Sequence, residues 1–222
     1  MANLFNSKHF NMAAEDYLLF LDKGYPQHTV IKIVGDKYRL NRDQRQILYR
    51  GICSTALAME RKKKIGMPEK GDLILVDTYN VLFTISNYFL GKQLFVGNDG
   101  FLRDIGEMRG RIRNKEIFTR AEKLMIETFK SWDNIVYRLF LDEPVPFSGR
   151  FAIKLSKTMA EEEIEGDAVT VHSADYPLKH EQSTAICTSD SAIIDKYDGK
   201  IIDVPHYILK HYFQADFPVV SL

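Results

Sequence analysis

The spacing of apolar residues divides the chain into two regions with different periodicities. In the first region, apolar positions recur at the interval of an amphipathic helix. This pattern predicts helices at residues 10–21, 30–34 and 42–61, and Asn41 is a favourable N-cap for the last of them. We therefore predict a helical domain at residues 1–65.

A junction rich in charge, glycine and proline (RKKKIGMPEKG) follows at residues 61–71. Beyond it, short apolar runs predict strands at residues 73–76, 135–141, 168–171, 184–188 and 200–202. Helical stretches alternate with these strands, near residues 81–90, 102–112, 116–131, 150–165, 192–197 and 206–213. Apolar strands that alternate with helices are typical of a parallel sheet covered on both faces. We therefore predict a three-layer α/β domain at residues 72–222.

Composition and charge narrow the function classes. With 45% apolar and 27% charged residues, the chain is neither disordered nor a disulfide-rich scaffold. Thirty basic and thirty acidic residues cancel, so a polyanion would have to be bound by a local basic patch. The two cysteines, Cys53 and Cys187, form no CxxC pair and suit a reducing cytosol. No signal peptide or membrane-spanning run is visible, and we expect a cytoplasmic protein without a membrane partner.

Four of the predicted strands end in aspartate, at Asp77, Asp142, Asp190 and Asp203. In open parallel sheets, ligands bind beyond the carboxyl ends of the strands, so these acids could converge. Each one alone is also explained as a cap of the following helix. Two carboxylates about 4 Å apart repel by roughly 4 kcal/mol, so converging acids need a proton or a cation. Acids without nearby histidine or cysteine favour a hard ion such as Mg²⁺ or Mn²⁺.

Two further segments carry polar groups of interest. Asn80 lies one turn beyond Asp77, where it either caps the helix or serves a site. In the segment 98–107, Arg103 and Glu107 lie four residues apart and could pair on a helix surface. Asp104 lies beside them, and a favourable interaction with the helix dipole explains it equally well.

Three segments resemble PIN and NYN-type nuclease domains: VDTYNVLF (76–83), CTSDSAIID (187–195) and LDEPVPFSGR (141–150). The first resembles the opening strand and turn of those domains, and the second their later strand-to-helix segment. Over nearly its whole length, the chain resembles an uncharacterised prokaryotic family. In that family a short helical region, here VGDKYRLNRDQRQILYRG, precedes a PIN-like domain.

The resemblance implies a PIN-like (Rossmann-like) fold that hydrolyses RNA phosphodiesters with Mg²⁺ or Mn²⁺. Asp77 and Asp190 would be direct metal ligands, and Asp104 and Asp142 would complete the catalytic acidic cluster. Glu107 is an alternative to Asp104, and Asp195 and Asp203 compete for a further position. Asn80 and Ser148 would support the ligands or contact phosphate, and Arg103 would offset phosphate charge or orient an acid.

Basic residues that could hold the RNA crowd one region, although a solvated helix face explains them too: Arg109, Arg111, Arg113, Lys115, Arg120 and Lys123. The run 61–64 is a second basic patch. Most aromatics near the presumed site are expected in the core, with one or two left to stack on unpaired bases: Tyr79, Phe83, Tyr88, Phe89 and Phe101. The N-terminal helices are interpreted as a helix-turn-helix, or as an appendage that packs on the nuclease domain or mediates a homodimer.

Several enzyme classes lack their sequence signatures. The chain contains no GxxxxGK[ST], GxGxxG, GxSxG or HExxH motif. The leading hypothesis is the metal-dependent ribonuclease that the resemblance implies. One alternative is a catalytically silent nucleic-acid-binding or regulatory module of the same fold. Another is a phosphatase, but the aspartate that an aspartyl-phosphate mechanism needs two residues after Asp77 is replaced by Tyr79.

Overall fold

The computed structural model describes residues 8–105 and 114–220. These residues form two compact units: the first contains residues 8–63, 92–105 and 216–220, and the second contains 64–91 and 114–215. The sequence placed a single boundary near the junction at 61–71. Instead, residues 92–105 and 216–220 belong to the first unit. In the described residues, no helix has the length and hydrophobicity needed to cross a membrane.

The described residues contain ten α-helices and seven β-strands. In chain order they are α1 (Lys8–Asp22), α2 (Gln27–Lys37), α3 (Arg42–Gly51), α4 (Thr55–Lys64), β1 (Leu73–Asp77), α5 (Thr78–Phe89), β2 (Leu94–Val96), β3 (Leu102–Asp104), α6 (Lys115–Ser131), β4 (Val136–Asp142), α7 (Ser148–Glu161), β5 (Gly166–Val171), α8 (Asp175–His180), β6 (Ala185–Cys187), α9 (Ser191–Ile194), β7 (Lys200–Ile201) and α10 (Val204–Phe213).

The first unit combines the N-terminal helices with the antiparallel hairpin β2–β3. Its core joins Phe10 and Tyr17 of α1 to Ile47 and Leu48 of α3, and it also takes in Phe95 of β2. The expected long helix at 42–61 is wrong, because α3 ends at Gly51 and α4 begins at Thr55. The break between α3 and α4 is stabilised by residues that lie far from it in the sequence.

Two polar side chains provide this stabilisation. The Asn98 amide oxygen accepts a hydrogen bond from the backbone N–H of Cys53 at 3.1 Å. The Asp22 carboxylate accepts from both the N–H and the hydroxyl of Thr55, at 2.6 and 2.8 Å. Because these partners lie far away along the chain, the helical periodicity of 42–61 could not reveal the break.

The second unit is built on a five-stranded sheet in the order β5–β4–β1–β6–β7, and every neighbouring pair is parallel. From β1 the chain moves outward to β4 and β5, then returns to the other side of β1 for β6 and β7. Parallel crossovers are right-handed, so the helices that lead outward to β4 and β5 lie on the opposite face from α8 and α9. Helix α10, which follows β7, packs on α5 and α6. The predicted α/β fold with a parallel sheet is confirmed, and all five predicted strands are present.

One glycine is required by the pairing of β4 with β5. Gly166 has φ +141°, and an added Cβ would lie 1.9 Å from the carbonyl oxygen of Tyr137. Any side chain here would force the two strands apart.

Three short elements depart from the sequence expectations. The helix expected at 102–112 is wrong over its first residues, where Leu102–Asp104 form strand β3, and residues 106–113 lie outside the described part of the chain. Strand β2 and helix α8 were not expected. Both elements are short, and Pro177 is the third residue of α8.

Candidate active site

Three of the predicted catalytic aspartates lie at the carboxyl edge of the sheet in the second unit. Asp77 ends β1 and is aligned with Phe140 of β4, so Asp142, two residues further on, projects from the same face as Asp77. On the other side, Val76 is aligned with Cys187 of β6, which places Thr188 beside Asp77. The chain reverses direction across the sheet between β1 and β6, and ligands of doubly wound sheets bind at such a reversal.

Asp77 is the buried centre of this arrangement, with 8% of its surface exposed. Its Oδ2 accepts a hydrogen bond from the Thr188 hydroxyl at 3.1 Å, and its Oδ1 accepts from the Asn80 N–H at 3.3 Å. Burial, followed by repulsion from Asp142 and more weakly from Asp190, raises the pKa of Asp77 to about 7, and the two hydrogen bonds act against this rise. Asp142 and Asp190 therefore both act electrostatically on Asp77.

The other two carboxylates are held by backbone N–H groups. Asp142 Oδ1 accepts from Ala174 at 2.9 Å, just before α8. Asp190 Oδ1 accepts from Ala192 at 2.7 Å and caps α9. Asp77 likewise caps α5. The helix-cap interpretation is thus confirmed for Asp77 and Asp190. In addition, the charges of Asp142 and Asp190 raise the pKa of Asp77.

Asn80 and Thr188 connect the loop after β6 to the rest of the site. The Asn80 amide oxygen accepts from the N–H of Ser189 at 3.0 Å and from its hydroxyl at 3.1 Å. The Thr188 hydroxyl oxygen accepts from the Asp190 N–H at 3.1 Å while its proton goes to Asp77. Asn80 therefore fixes the loop that carries Asp190, and its own Nδ2 group can still donate to a ligand.

Tyr79 lies beneath the acidic edge rather than on its surface. Its side chain is buried, and its ring stacks on Phe83 at a centroid distance of 5.4 Å. Burial, and then the charge of Asp142, raises the pKa of Tyr79 to about 12. The phenol therefore stays protonated at neutral pH, and Tyr79 belongs to the core, as expected for most of these aromatics.

The structure gives Arg103 and Asp104 partners inside the first unit. Arg103 is 2% exposed, and its two terminal nitrogens donate to Asp99 at 2.6 and 2.8 Å. This buried pairing corrects the expected contact between Arg103 and a phosphate. Asp104 accepts from Arg50 at 2.6 Å. Its membership of the acidic cluster stays a prediction.

The remaining predicted positions divide into three groups. Ser148 is buried, and its hydroxyl donates to the carbonyl of Glu143 at 3.2 Å, so it fixes a turn. Asp203 caps α10 by accepting from the His206 N–H at 3.0 Å, and Asp195 lies at the end of α9. The alternative acid and two expected phosphate contacts lie outside the described residues: Glu107, Arg109 and Arg111.

The expected basic run at 61–64 is not a single surface patch. Arg61 is buried and donates to Asp99 at 2.8 Å, and the ammonium of Lys64 donates to the carbonyls of Ile194 and Tyr197. Only Lys62 and Lys63 in this run are exposed. Elsewhere in the second unit, Lys115, Arg120 and Lys123 line a surface depression of about 430 Å³.

In the described residues, Asp77, Asp142 and Asp190 do not form the predicted metal site of three or more ligands, and a cation at the acidic edge stays a prediction. Among residues 8–105 and 114–220, no group of three or more His, Cys, Asp or Glu side chains could hold a metal ion. A cation here would therefore bind one or two carboxylates, with water or substrate oxygens filling its other positions. Mg²⁺ is commonly bound in this way. The repulsion between Asp77 and Asp142 is what such an ion would relieve.

Comparison with known proteins identifies the family. Residues 69–207, more than half of the chain, match the family described as Domain of unknown function (DUF5616). The chain belongs to the DUF5616 family. Residues 9–64 match a second family, described as Protein of unknown function (DUF434). The region matched by DUF5616 begins just before β1 and includes Asp77, Asp142 and Asp190.

A relative of this DUF5616 chain is the uncharacterised protein MJ0935 of Methanocaldococcus jannaschii. The two are 29% identical over 192 residues, which cover 86% of this chain and 91% of that protein. No solved structure matches the chain. The expected relationship to an uncharacterised family with a short N-terminal region is therefore confirmed.

Proposed function

We propose that the second unit is a PIN-like nuclease domain that hydrolyses phosphodiester bonds of RNA with the help of Mg²⁺ or Mn²⁺. The observation that carries this proposal is geometric. Asp77 and Asp142 project from the same face of two adjacent parallel strands at the carboxyl edge of the sheet. Asp77 also borders the reversal point between β1 and β6, where such sheets bind ligands. The loop that bears Asp190 is hydrogen-bonded to Asp77 through Thr188.

In this proposal Asp77 and Asp142 bind the cation and Asp190 contributes to the negative field that attracts it. A bound divalent ion supplies a water of lowered pKa and stabilises the leaving oxygen. Asn80 orients the Asp190 loop through Ser189, and its Nδ2 group donates to a phosphate oxygen. Asp104 ends β3 in the first unit, and Glu107, Arg109 and Arg111 lie outside the described residues, so the roles of these four residues stay predictions.

The proposal is tested by substituting the carboxylates singly and measuring Mn²⁺-dependent cleavage of single-stranded RNA. Asp77→Asn and Asp190→Asn should each abolish cleavage while leaving the circular dichroism spectrum unchanged. The matched control is Asp133→Asn, because Asp133 is an exposed carboxylate that pairs with Lys70 and precedes β4, at the opposite edge of the sheet from Asp142. If both site variants cleave as well as the wild type, the assignment is wrong.

One observation favours the alternative of a catalytically silent RNA-binding module. Asp77, Asp142 and Asp190 each accept a backbone N–H bond, so all three also have a purely structural role. In that case the wild-type protein would bind RNA in a salt-dependent manner. It would show no cleavage with any divalent ion, whereas cleavage lost in Asp77→Asn excludes this alternative.

A further inference from the structure

The most exposed large apolar side chains of the described residues include two aromatics next to the acidic edge. Phe147 is 74% exposed, Ile153 73% and Tyr176 71%, while every other exposed large apolar side chain in the described ranges is at 57% or below. Aromatic rings are costly to leave in water, and two of them in such exposure call for an explanation. None of the aromatics that the sequence suggested for base stacking is exposed in this way: Tyr79 and Phe101 are buried, and Phe83, Tyr88 and Phe89 are half-buried.

Phe147 holds its position at a cost to the backbone. Its φ and ψ of 67° and 16° lie in the left-handed region, which a residue with a Cβ atom avoids. It is also the N-cap of α7, where it makes no side-chain capping bond. A glycine would relieve the conformation, and a serine or aspartate would cap the helix. Phenylalanine is thus a poor choice for stability at this position.

Hydrogen bonds place Phe147 close to Asp142. The turn that leads to it begins at the end of β4, where the Val145 N–H donates to the Asp142 carbonyl at 3.2 Å. The Ser148 N–H then donates to Val145 at 3.1 Å, and its hydroxyl returns to Glu143. Phe147 therefore stands at the end of a closed turn of six residues that starts at Asp142.

Tyr176 is tied to the same carboxylate from the neighbouring strand. It follows Ala174 by two residues, and the Ala174 N–H donates to Asp142 Oδ1 at 2.9 Å. The Tyr176 N–H donates to the carbonyl of Ser173 at 3.4 Å, at the start of α8. Two exposed rings, one at the N-cap of α7 and one in the first turn of α8, thus follow strand-end segments that are hydrogen-bonded to Asp142.

Each ring also has a polar planar neighbour. The Arg150 guanidinium lies 5.8 Å from the centroid of the Phe147 ring. The His180 ring lies 4.7 Å from that of Tyr176, at an interplanar angle of 46°. Aromatic rings accompanied by arginine form the stacking platforms on which proteins bind the unpaired bases of a single strand.

We propose that Phe147 and Tyr176 stack on unpaired bases of a single-stranded RNA whose backbone passes the acidic edge, so that the site selects single strands over duplexes. This inference rests on the proposed function, because it takes the polymer bound at Asp142 to be RNA. Bases in a duplex are already stacked and paired, so they offer no face to either ring. The two rings therefore discriminate by the accessibility of the base rather than by its identity.

The test measures binding separately from cleavage. Fluorescence anisotropy with a short unstructured RNA is carried out in the Asp77→Asn background, in which the substrate stays intact. Phe147→Gly and Tyr176→Ala should each raise the Kd roughly tenfold, the usual loss for one stacked base. Phe147→Gly should unfold no more readily than its parent, because glycine accepts the left-handed conformation.

Two control variants keep the result interpretable. Ile153→Ala removes an equally exposed apolar side chain from the adjacent helix and should change the Kd by less than about twofold. Tyr176→Phe keeps the ring and should bind as the parent does. A duplex of the same sequence should bind more weakly and respond to neither ring deletion.

The outcomes separate this inference from the proposed function. If both ring deletions bind the single strand as tightly as the parent, or if the parent binds no RNA, the stacking role is overturned. If the deletions weaken binding but wild-type protein never cleaves RNA, the stacking role stands and the nuclease proposal fails. An equal loss for duplex and single strand would show a nonspecific effect and would also overturn the selection for single strands.

Discussion

Two buried aspartates, Asp99 in the first unit and Asp77 in the second, have opposite electrostatic environments. In the first unit, Asp99 is 1% exposed and contacts the guanidinium groups of Arg103 and Arg61. Burial acts to raise the pKa of Asp99, but the two arginines outweigh it and the pKa is lowered. In the second unit, Asp77 is also buried, yet within the described residues its partners are an N–H group, a hydroxyl and further carboxylates, and its pKa is raised.

This difference separates a structural use of charge from one that suits ligand binding. A buried carboxylate with two arginines is neutralised within the fold and stabilises one conformation. A buried carboxylate beside other carboxylates carries an electrostatic cost in the ligand-free protein, which a bound cation would remove. Strong burial alone therefore does not identify a site, and the sign of the pKa shift distinguishes the two cases.

The largest effect is expected where the arginine pairing is broken. Asp99→Asn should lower the free energy of unfolding by about 3–5 kcal/mol, because two buried guanidinium groups lose their shared carboxylate. Denaturant unfolding measures this loss. The matched control is Asp36→Asn, whose exposed ion pair with Arg45 should contribute at most about 1 kcal/mol. Equal small losses for both variants would contradict the structural role of Asp99.

The opposite sign is expected for the other buried aspartate. Asp77→Asn should raise the free energy of unfolding above pH 7, by at most roughly 4 kcal/mol for a pKa moved from 3.8 to about 7. Because the folded pKa is raised, the stability linked to protonated Asp77 is complete below the unfolded pKa and is lost as the pH rises through about 7. The gain in the variant should therefore shrink as the pH is lowered towards 4.

Denaturant unfolding at several pH values measures this trend, with Asp133→Asn as the exposed control. A destabilised Asp77→Asn protein above pH 7 would show that the carboxylate is neutralised within the fold after all. The contrast between the two units would then disappear.

A smaller effect is expected when the hydrogen bond from Thr188 to Asp77 is removed. Thr188→Val removes a donor to Asp77 and an acceptor for the Asp190 N–H, and should cost about 1 kcal/mol. It should also raise the pKa of Asp77 further, so Mn²⁺-dependent cleavage should begin at a higher pH than in the wild type. Thr188→Ser keeps the hydroxyl and should restore the original profile. An unchanged profile in Thr188→Val would rule out this link.

The centre of the sheet could be predicted from the sequence because its inner strands contain continuous buried apolar runs, as in LILV at 73–76 and LFL at 139–141. The strand-end aspartates could be found for the same reason, since the end of an apolar run marks the edge of the sheet. The break after Gly51 could not be found, because Asn98 and Asp22 impose it from elsewhere in the chain. Arg103 was misassigned because the pattern placed it on the surface of a helix, whereas it lies in strand β3 and is buried against Asp99.

The exposed rings at Phe147 and Tyr176 had no sequence signal. Each stands alone among polar and proline-containing turn residues, where apolar periodicity gives no information. Only the left-handed backbone of Phe147 and the anchoring of both loops to Asp142 distinguish them from ordinary surface residues.

In the sequence, the hairpin β2–β3 lies within the region matched by DUF5616. In the structure, it belongs to the first unit, which contains the region matched by DUF434. Phe95 of the hairpin and Val220 near the last described residue both enter the core formed by the N-terminal helices. The Asn98 N–H donates to the carbonyl of Gly51, and an added Cβ on Gly51 would lie 2.7 Å from the Phe95 ring. A fragment that stopped at residue 65 would thus leave Ile47 and Leu48 without part of their covering, so the helical region cannot be excised as one continuous piece.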